Sequence, residues 1–200
     1  MYVTNGTILD YTNCTNYTSG AVPNWGICIR TCGYNPNCVY TVETCEPDWQ
    51  IFMRGSIGVC RRIVEKVVSK VDAGEYCSSQ FKGTLSSVGS AEERDSILAT
   101  TSGKKGYAWI AGMRRSQCAT YSKAEICNGK QSFITMETYA ESQELPDLWA
   151  PGQPSANRTT WTKGYLKLDL ESGEVYNDYV DANESIIGFV CIKATTKEIL

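Results

Sequence analysis

Hydrophobic positions are unevenly distributed along the chain. Over residues 1–44 Thr, Asn, Gly and Tyr dominate and few aliphatic residues are available for a core, whereas from Cys45 onward the pattern becomes a mixed α and β one. Ile63, Val64, Val67, Val68 and Val71 recur at helical spacing, but their β-branched side chains favour a strand over the first half of that run. A helix is predicted to begin after Ser69, with Asp72 completing a capping-box-like start and Ala73, Cys77 and Phe81 on one inward stripe. A second helix is predicted from Ser90, where Ser90-Ala91-Glu92-Glu93 repeats the signal and Ile97 and Leu98 face inward. Trp109-Ile110-Ala111 reads as a strand, and Leu166, Leu168 and Leu170 alternate as another. Glu171-Ser172-Gly173 then turns the chain into a third. Between about 137 and 163, a stretch holding Pro146, Pro151 and Pro154, no period is visible; a loop of that length in a compact domain is usually functional or disordered.

Two hundred residues accommodate one domain of about 150 residues and a small companion. A net charge of -3 and a pI near 5.1 give no basic footprint, so nucleic acid is a poor partner. The chain has no histidine, which removes the commonest general base and every Ser-His or Cys-His nucleophile. Two-carboxylate glycosidase chemistry stays formally open through Glu137, Glu141 and Glu144, but acids in a solvated loop are the ordinary explanation, and no enzyme is expected. No window approaches the roughly eighteen apolar residues of a membrane span. The start, Met1-Tyr2-Val3-Thr4-Asn5-Gly6, lacks the basic and apolar parts of a secretory leader and reads as the beginning of a mature chain.

The ten cysteines change the picture. Cys14, Cys28, Cys32 and Cys38 fall where apolar residues are scarce and must do much of the structural work there, paired among themselves. Cys28 and Cys32 share a face if Trp25–Cys32 is helical. The run Trp25-x-x-Cys28-x-x-x-Cys32-x5-Cys38 is similar to the helical core of PAN/apple-like modules. Zinc held by Cys28, Cys32, Cys38 and Cys45 is available by count, but the spacing fits no standard finger and disulfides are preferred. Five of the ten asparagines, Asn5, Asn13, Asn16, Asn157 and Asn183, stand in Asn-x-Ser/Thr sequons. Sequons and cysteines together point to a glycosylated, extracellular chain, secreted or an ectodomain.

Across residues 45–193 a series of elements resembles the C-type lectin-like domain in the form common among nematode lectin-like proteins. In order they are Cys45-Glu46-Pro47-Asp48-Trp49, Cys60, Ala73 with Cys77, and Thr84-Leu85-Ser86-Ser87-Val88. Trp109-Ile110-Ala111-Gly112, Gln153-Pro154-Ser155, Tyr176-Asn177-Asp178 and Gly188-Phe189-Val190-Cys191 follow. The resemblance implies an α+β fold with two helices, two small antiparallel sheets and a long ligand-binding loop region. It divides the chain into a cysteine-rich segment 1–44, a lectin-like domain 45–193 and a tail 194–200. It also implies the pairs Cys45–Cys60, Cys77–Cys191 and Cys118–Cys127. The family's usual second disulfide is missing from both ends, with Tyr165 and Asp181 in its two places.

In lectins of this family a calcium ion is held by a Glu-Pro-Asn or Gln-Pro-Asp tripeptide, a further acid and an Asn-Asp pair. The matching positions are Gln153, Pro154 and Ser155, then Asn177 and Asp178; Ala156–Thr160 supplies no acid and includes Arg158. One carboxylate is a poor cage for an ion that wants six to eight oxygens, so the calcium site is expected to be degenerate and no cofactor is expected. Glu141, Glu144 or Asp147 are the remaining possible donors, and Asn177-Asp178 is equally a turn pair. Recognition then falls to the loop surface, where Tyr139, Leu145, Leu148, Trp149, Trp161 and Tyr179 offer apolar area to a sugar or a protein, with at least one tryptophan expected as a core plug. Arg114-Arg115 is a candidate for an acidic or sulfated ligand, or simply a solvated pair. The function implied is an extracellular recognition module for a glycan or protein; the alternative is an adhesion or assembly subunit that binds no sugar.

Overall fold

The computed structural model describes residues 3–4, 7–8, 26–30, 40–55, 57–119, 124–135, 137–140, 147–155, 164–179 and 185–199. In chain order the strands are β1 (Val3–Thr4), β2 (Thr7–Ile8), β3 (Gly26–Arg30), β4 (Tyr40–Thr44), β5 (Gln50–Arg54) and β6 (Ile57–Val64). Helix α1 (Lys70–Phe81), β7 (Thr84–Leu85) and α2 (Ala91–Thr100) follow. The remainder is β8 (Tyr107–Arg114), β9 (Phe133–Ile134), β10 (Tyr165–Asp169), β11 (Val175–Asp178), β12 (Ile186–Ala194) and β13 (Thr196–Ile199). Contacts divide the chain into two compact units, Met1–Cys60 with Ala194–Leu200, and Arg61–Lys193.

In the first unit β4 pairs antiparallel with both β3 and β13, so the last residues of the chain form a strand. Gly26–Arg30 is extended, and the helix implied by the PAN/apple-like resemblance is therefore absent there. Ile27 and Ile29 alternate with period two and carry the β-branched side chains that suit a strand better than a helical turn. Cys45 and Cys60 are joined, with Cα atoms 5.6 Å apart and both buried with Trp49. Glu43 of β4 is also buried; its carboxylate accepts from Thr195 Oγ1 at 3.0 Å and lies 2.9 Å from Lys197 Nζ.

The second unit is built on one sheet. β8 pairs parallel with β12 and antiparallel with β10, which is followed by β11. β7 adds to β12 and β9 to β8. Its core gathers Val88, Ile97, Ala108, Ile110, Phe133, Leu166, Leu168, Val175 and Val190. Both helices start where their caps predict. Ser69 and Ser90 accept from the backbone N–H groups of Asp72 and Glu93, satisfying donors that the first helical turn leaves open. The buried Glu93 carboxylate also accepts from Gly89 N at 3.0 Å and pairs with buried Arg61 at 3.4 Å.

Cys77 of α1 is bonded to Cys191 of β12, closing a separation of 114 residues. In the chain-entropy account a loop of that size is worth roughly 4 to 5 kcal/mol. Cys118 and Cys127 are joined as well, closing a separation of nine. Gly112 has φ +130°, and a Cβ there would stand 2.4 Å from Leu166 Cδ1, so the fourth position of the Trp109 motif admits nothing larger. Gly188 is needed for a different reason: a Cβ would meet Val64 O at 2.5 Å. Among the described residues no helix is long and apolar enough to cross a membrane.

Candidate functional site

Strand register places the inherited residues. Leu166 and Leu168 of β10, with Val175 of β11, face the core, while Lys167 pairs with Trp109 and Tyr176 on the opposite face of the sheet. The loop preceding β10 returns to this region through Trp149 and Ala150. Val175 N donates to Leu148 O at 2.7 Å and Ala150 N to Val175 O at 3.1 Å. Trp149 is thereby half-buried against Phe133, ring centroids 5.3 Å apart, and packs against the core. Trp161, Leu145, Glu141, Glu144, Arg158, Asp181 and the five sequon asparagines lie outside the described residues, as do Cys14, Cys32 and Cys38; of Cys28 only the backbone is described.

Gln153, Ser155 and Asn177 are brought together, and their polar atoms are turned on one another. The Gln153–Pro154 bond is cis. Ser155 N donates to Gln153 Oε1 at 3.1 Å and to Asn177 Oδ1 at 2.8 Å. Ser155 Oγ also donates to Asn177 Oδ1 at 3.3 Å, and Asn177 Nδ2 returns a bond to Ser155 O at 3.2 Å. Asn177, largely buried, therefore clamps the tripeptide directly.

Asp178 points elsewhere. Its Oδ2 is ion-paired with Lys167 Nζ, and its Oδ1 accepts from Tyr179 N at 2.9 Å. The Lys167 ammonium is almost fully buried and sits 4.0 Å from the centroid of the Tyr107 ring. Tyr107 in turn meets Tyr176 edge-on, centroids 5.6 Å apart. Burial, followed by the charges of Asp169 and Asp178, pushes the Tyr107 hydroxyl above its ordinary pKa. Tyr176 is raised too, by burial first and then by Glu174, which accepts its hydroxyl proton at 3.3 Å.

The implied calcium ion is tested by this donor set. The single carboxylate already faces a lysine ammonium, and the amide oxygens of Gln153 and Asn177 already accept backbone N–H bonds. An ion requiring six to eight oxygens finds no cage in such a set. Asp147, the described one of the three further donors Glu141, Glu144 and Asp147, is ion-paired with Lys130. Among the described residues no group of three or more His, Cys, Asp or Glu side chains converges.

Two other sequence candidates have structural roles. Arg114 is buried, with its guanidinium 4.6 Å from the Phe133 ring centroid and donating to Ser132 Oγ at 3.1 Å; it is neither a solvated charge nor an open anion site. Glu137 is not a solvated loop acid either. Its buried carboxylate accepts from Ser87 N and, at 2.7 Å, from Ser87 Oγ, tying the start of the loop to the strand region after α1.

Sequence reasoning missed two lysines. Lys167 is signalled only by its place in the Leu166–Leu170 alternation, and Lys70 only by following the Ser69 cap. Lys70 is buried and donates to Ile110 O, Gly112 O and Leu166 O, the last two at 3.4 Å. These carbonyls border the register shift between β8 and β10, and burial lowers the lysine pKa to about 7. A cavity of about 340 Å³ lies beside it, lined also by Gly83, Leu85, Met113, Glu137 and Tyr165.

Solved structures share this architecture. With a mouse scavenger receptor C-type lectin carbohydrate-recognition domain the chain is 19% identical at a TM-score of 0.54, over 76% of this chain and 99% of that one. With a Ca2+-dependent type II antifreeze protein, in its Ca2+-free form, the figures are 17% and 0.55, over 75% and 100%. With the Ca2+-independent C-type lectin SPL-2 from Saxidomus purpuratus they are 20% and 0.52, over 74% and 93%. No curated protein matches in sequence. Those likenesses establish the C-type lectin-like fold. The model of one family, C-type lectin domain-containing protein 141/158, matches residues 57–197, the stretch that holds the Trp109 strand, the Cys77–Cys191 bond and the Asn177 clamp, and the chain belongs to that family.

Proposed function

We propose that this protein is an extracellular recognition module, secreted or part of an ectodomain, that binds a glycan or a protein through the surface around its long loop without calcium. The observation that carries the reading is the Lys167–Asp178 ion pair beside the self-satisfied Gln153-Pro154-Ser155 and Asn177 cluster. In a calcium-dependent site the cation organises the carboxylate and amide oxygens, and ligand hydroxyls complete its shell. Here an ammonium stands on the carboxylate, and backbone bonds hold the amides. The resulting surface is organised by the polypeptide itself. A lectin of this fold that is described as Ca2+-independent lends the reading support. The disulfides accord with an oxidising compartment. The five sequon asparagines point the same way.

The absence of histidine and the structural engagement of Glu137 favour binding over catalysis. A glycan array probed first in calcium and then in chelator tests the reading. Retained glycan binding after chelation is expected; loss of binding on chelation would overturn the calcium-free mode. Failure to bind any glycan, with a stable protein partner recovered, would move the protein to the adhesion or assembly role.

A further inference from the structure

The face of the sheet opposite the core has a composition that the inherited loop residues do not account for. Tyr107 of β8 and Tyr176 of β11 project on this face, half-exposed, with their rings in an edge-to-face pair. Lys167 lies against Tyr107 from within the sheet and neutralises Asp178. Asp169 and Glu174 stand at the margin. Asp169 Oδ1 accepts from Glu171 N at 2.8 Å, and Glu174 Oε2 from the Tyr176 hydroxyl at 3.3 Å. Among the described residues of this margin, three carboxylates stand against the one ammonium and place a negative field over two phenol rings, and after burial Asp169, Asp178 and Glu174 contribute to the raised pKa values of the tyrosines.

We propose that Tyr176, backed by Tyr107, is a stacking platform for a sugar ring, and that the platform selects neutral or amino sugars over sialylated, uronic or sulfated ones. This inference rests on the recognition reading above and deepens it. The apolar face of a pyranose gains its contact on an aromatic ring, while planar carboxylates at the margin accept the hydroxyls that the ring edge presents. The fixed T-shaped pair needs little ordering when the ligand arrives, since Tyr107 already holds Tyr176 in place. Negative charge on the margin opposes an anionic sugar and attracts an ammonium, which gives the preference its sign. The surface requires no metal, because Lys167 is a covalent part of the chain.

The test uses the full chain on an array carrying neutral, amino, sialylated and sulfated glycans. Neutral or amino glycans are expected to bind, and Tyr176→Ala is expected to lower that signal by at least about tenfold, the scale of one lost ring contact. Tyr176→Phe, which keeps the ring and gives up only the hydroxyl, is expected to retain most of it. Glu174→Lys reverses the charge at the margin and keeps the Tyr176 ring, giving up only the acceptor of its hydroxyl, and is expected to raise the sulfated signal relative to the neutral one. That variant decides the matter if Tyr176→Ala does not fold. Undiminished binding by a folded Tyr176→Ala protein would overturn the platform and leave the recognition reading standing. A wild-type preference for sialylated or sulfated glycans would overturn the charge selection. Binding to no glycan at all would overturn both the platform and the glycan reading beneath it.

Discussion

Lys70 of α1 and Lys167 of β10 are two buried lysines whose ammonium groups meet the same sheet, and they are accommodated in opposite ways. Lys167 has a carboxylate, Asp178, and the ring of Tyr107 against its ammonium. Lys70 has three backbone carbonyls and, at 5.8 and 5.9 Å, the rings of Trp109 and Tyr165, but no carboxylate partner is seen among the described residues. The first arrangement cancels charge; the second supplies dipoles without cancelling it. Burial accordingly drives the Lys70 pKa down to about 7. Their locations matter as much as their partners. Lys167 stands on the acid of the calcium set that the lectin-like resemblance implies, and Lys70 lies beside Tyr165, where the same resemblance implies a cysteine. One residue type, placed twice, neutralises a carboxylate at one point and shores up a bulged strand pair at the other.

The sharpest way to break the comparison is to remove Lys70. Lys70→Ala leaves the carbonyls of Ile110, Gly112 and Leu166 without their donor and enlarges the neighbouring cavity. Each buried group left unsatisfied costs about 1 to 3 kcal/mol, and the cavity adds to it, so the total expected loss is about 4 kcal/mol. Urea unfolding measures it. A loss below about 1 kcal/mol would mean that the carbonyls find other donors and that Lys70 is incidental.

Asp178→Asn comes next. It strips the counter-charge from Lys167 and leaves a buried ammonium facing a neutral amide, with an expected loss of about 2 to 3 kcal/mol, less than for a fully enclosed pair. The double variant Lys167→Met with Asp178→Asn removes the stranded charge and is expected to recover most of that loss. Equal instability of the single and double variants, measured by the same unfolding curves, would show that the pair is held by packing rather than by charge.

The two lysines also mark where sequence reading stopped. The helix starts at Ser69 and Ser90 were legible because capping is local, needing only a hydroxyl and the residues just after it. The alternation of Leu166, Leu168 and Leu170 correctly placed Lys167 on the other face of β10, but lysine on a non-core face ordinarily reads as solvated. The Asp178 and Tyr107 that enclose it come from β11 and β8, eleven and sixty residues away in the chain, so nothing local announces them. Lys70 was hidden for a similar reason, since its acceptors exist only once β8 and β10 slip register near Gly112. Glu137 and Arg114 failed in the same direction: a charged residue in a predicted loop or strand end was read as surface, and each is buried by a partner brought in from afar or by a ring beneath it. The resemblance located the Gln153, Ser155 and Asn177 cluster, but only the geometry shows those groups bonded to one another. The strand at Gly26–Arg30 displaced an expected helix because Ile27 and Ile29 follow a period of two that the cysteine spacing obscured.

The last prediction sharpens the contrast by titration. Lys70 has a folded pKa of about 7, whereas an unfolded lysine titrates near 10.4. Between those values the unfolded chain holds a proton that the folded chain has released, so stability rises with pH across that window, by at most about 1.4 kcal/mol per unit. Below pH 7 both states are protonated, and the buried ammonium carries its full desolvation cost. Tyr107 and Tyr176, with raised folded pKa values, work the other way once the unfolded hydroxyls begin to ionise near pH 10, so the informative range ends at about pH 9.5. The measurement is the unfolding free energy of wild type minus that of Lys70→Met, followed from pH 6 to 9.5. Subtracting the variant, which keeps similar volume without the amine, removes what the other titrating groups contribute. A difference that climbs in favour of wild type above pH 7 is expected. A flat difference would mean that three carbonyl dipoles hold the proton as firmly as a carboxylate does, and the distinction between the two lysines would disappear.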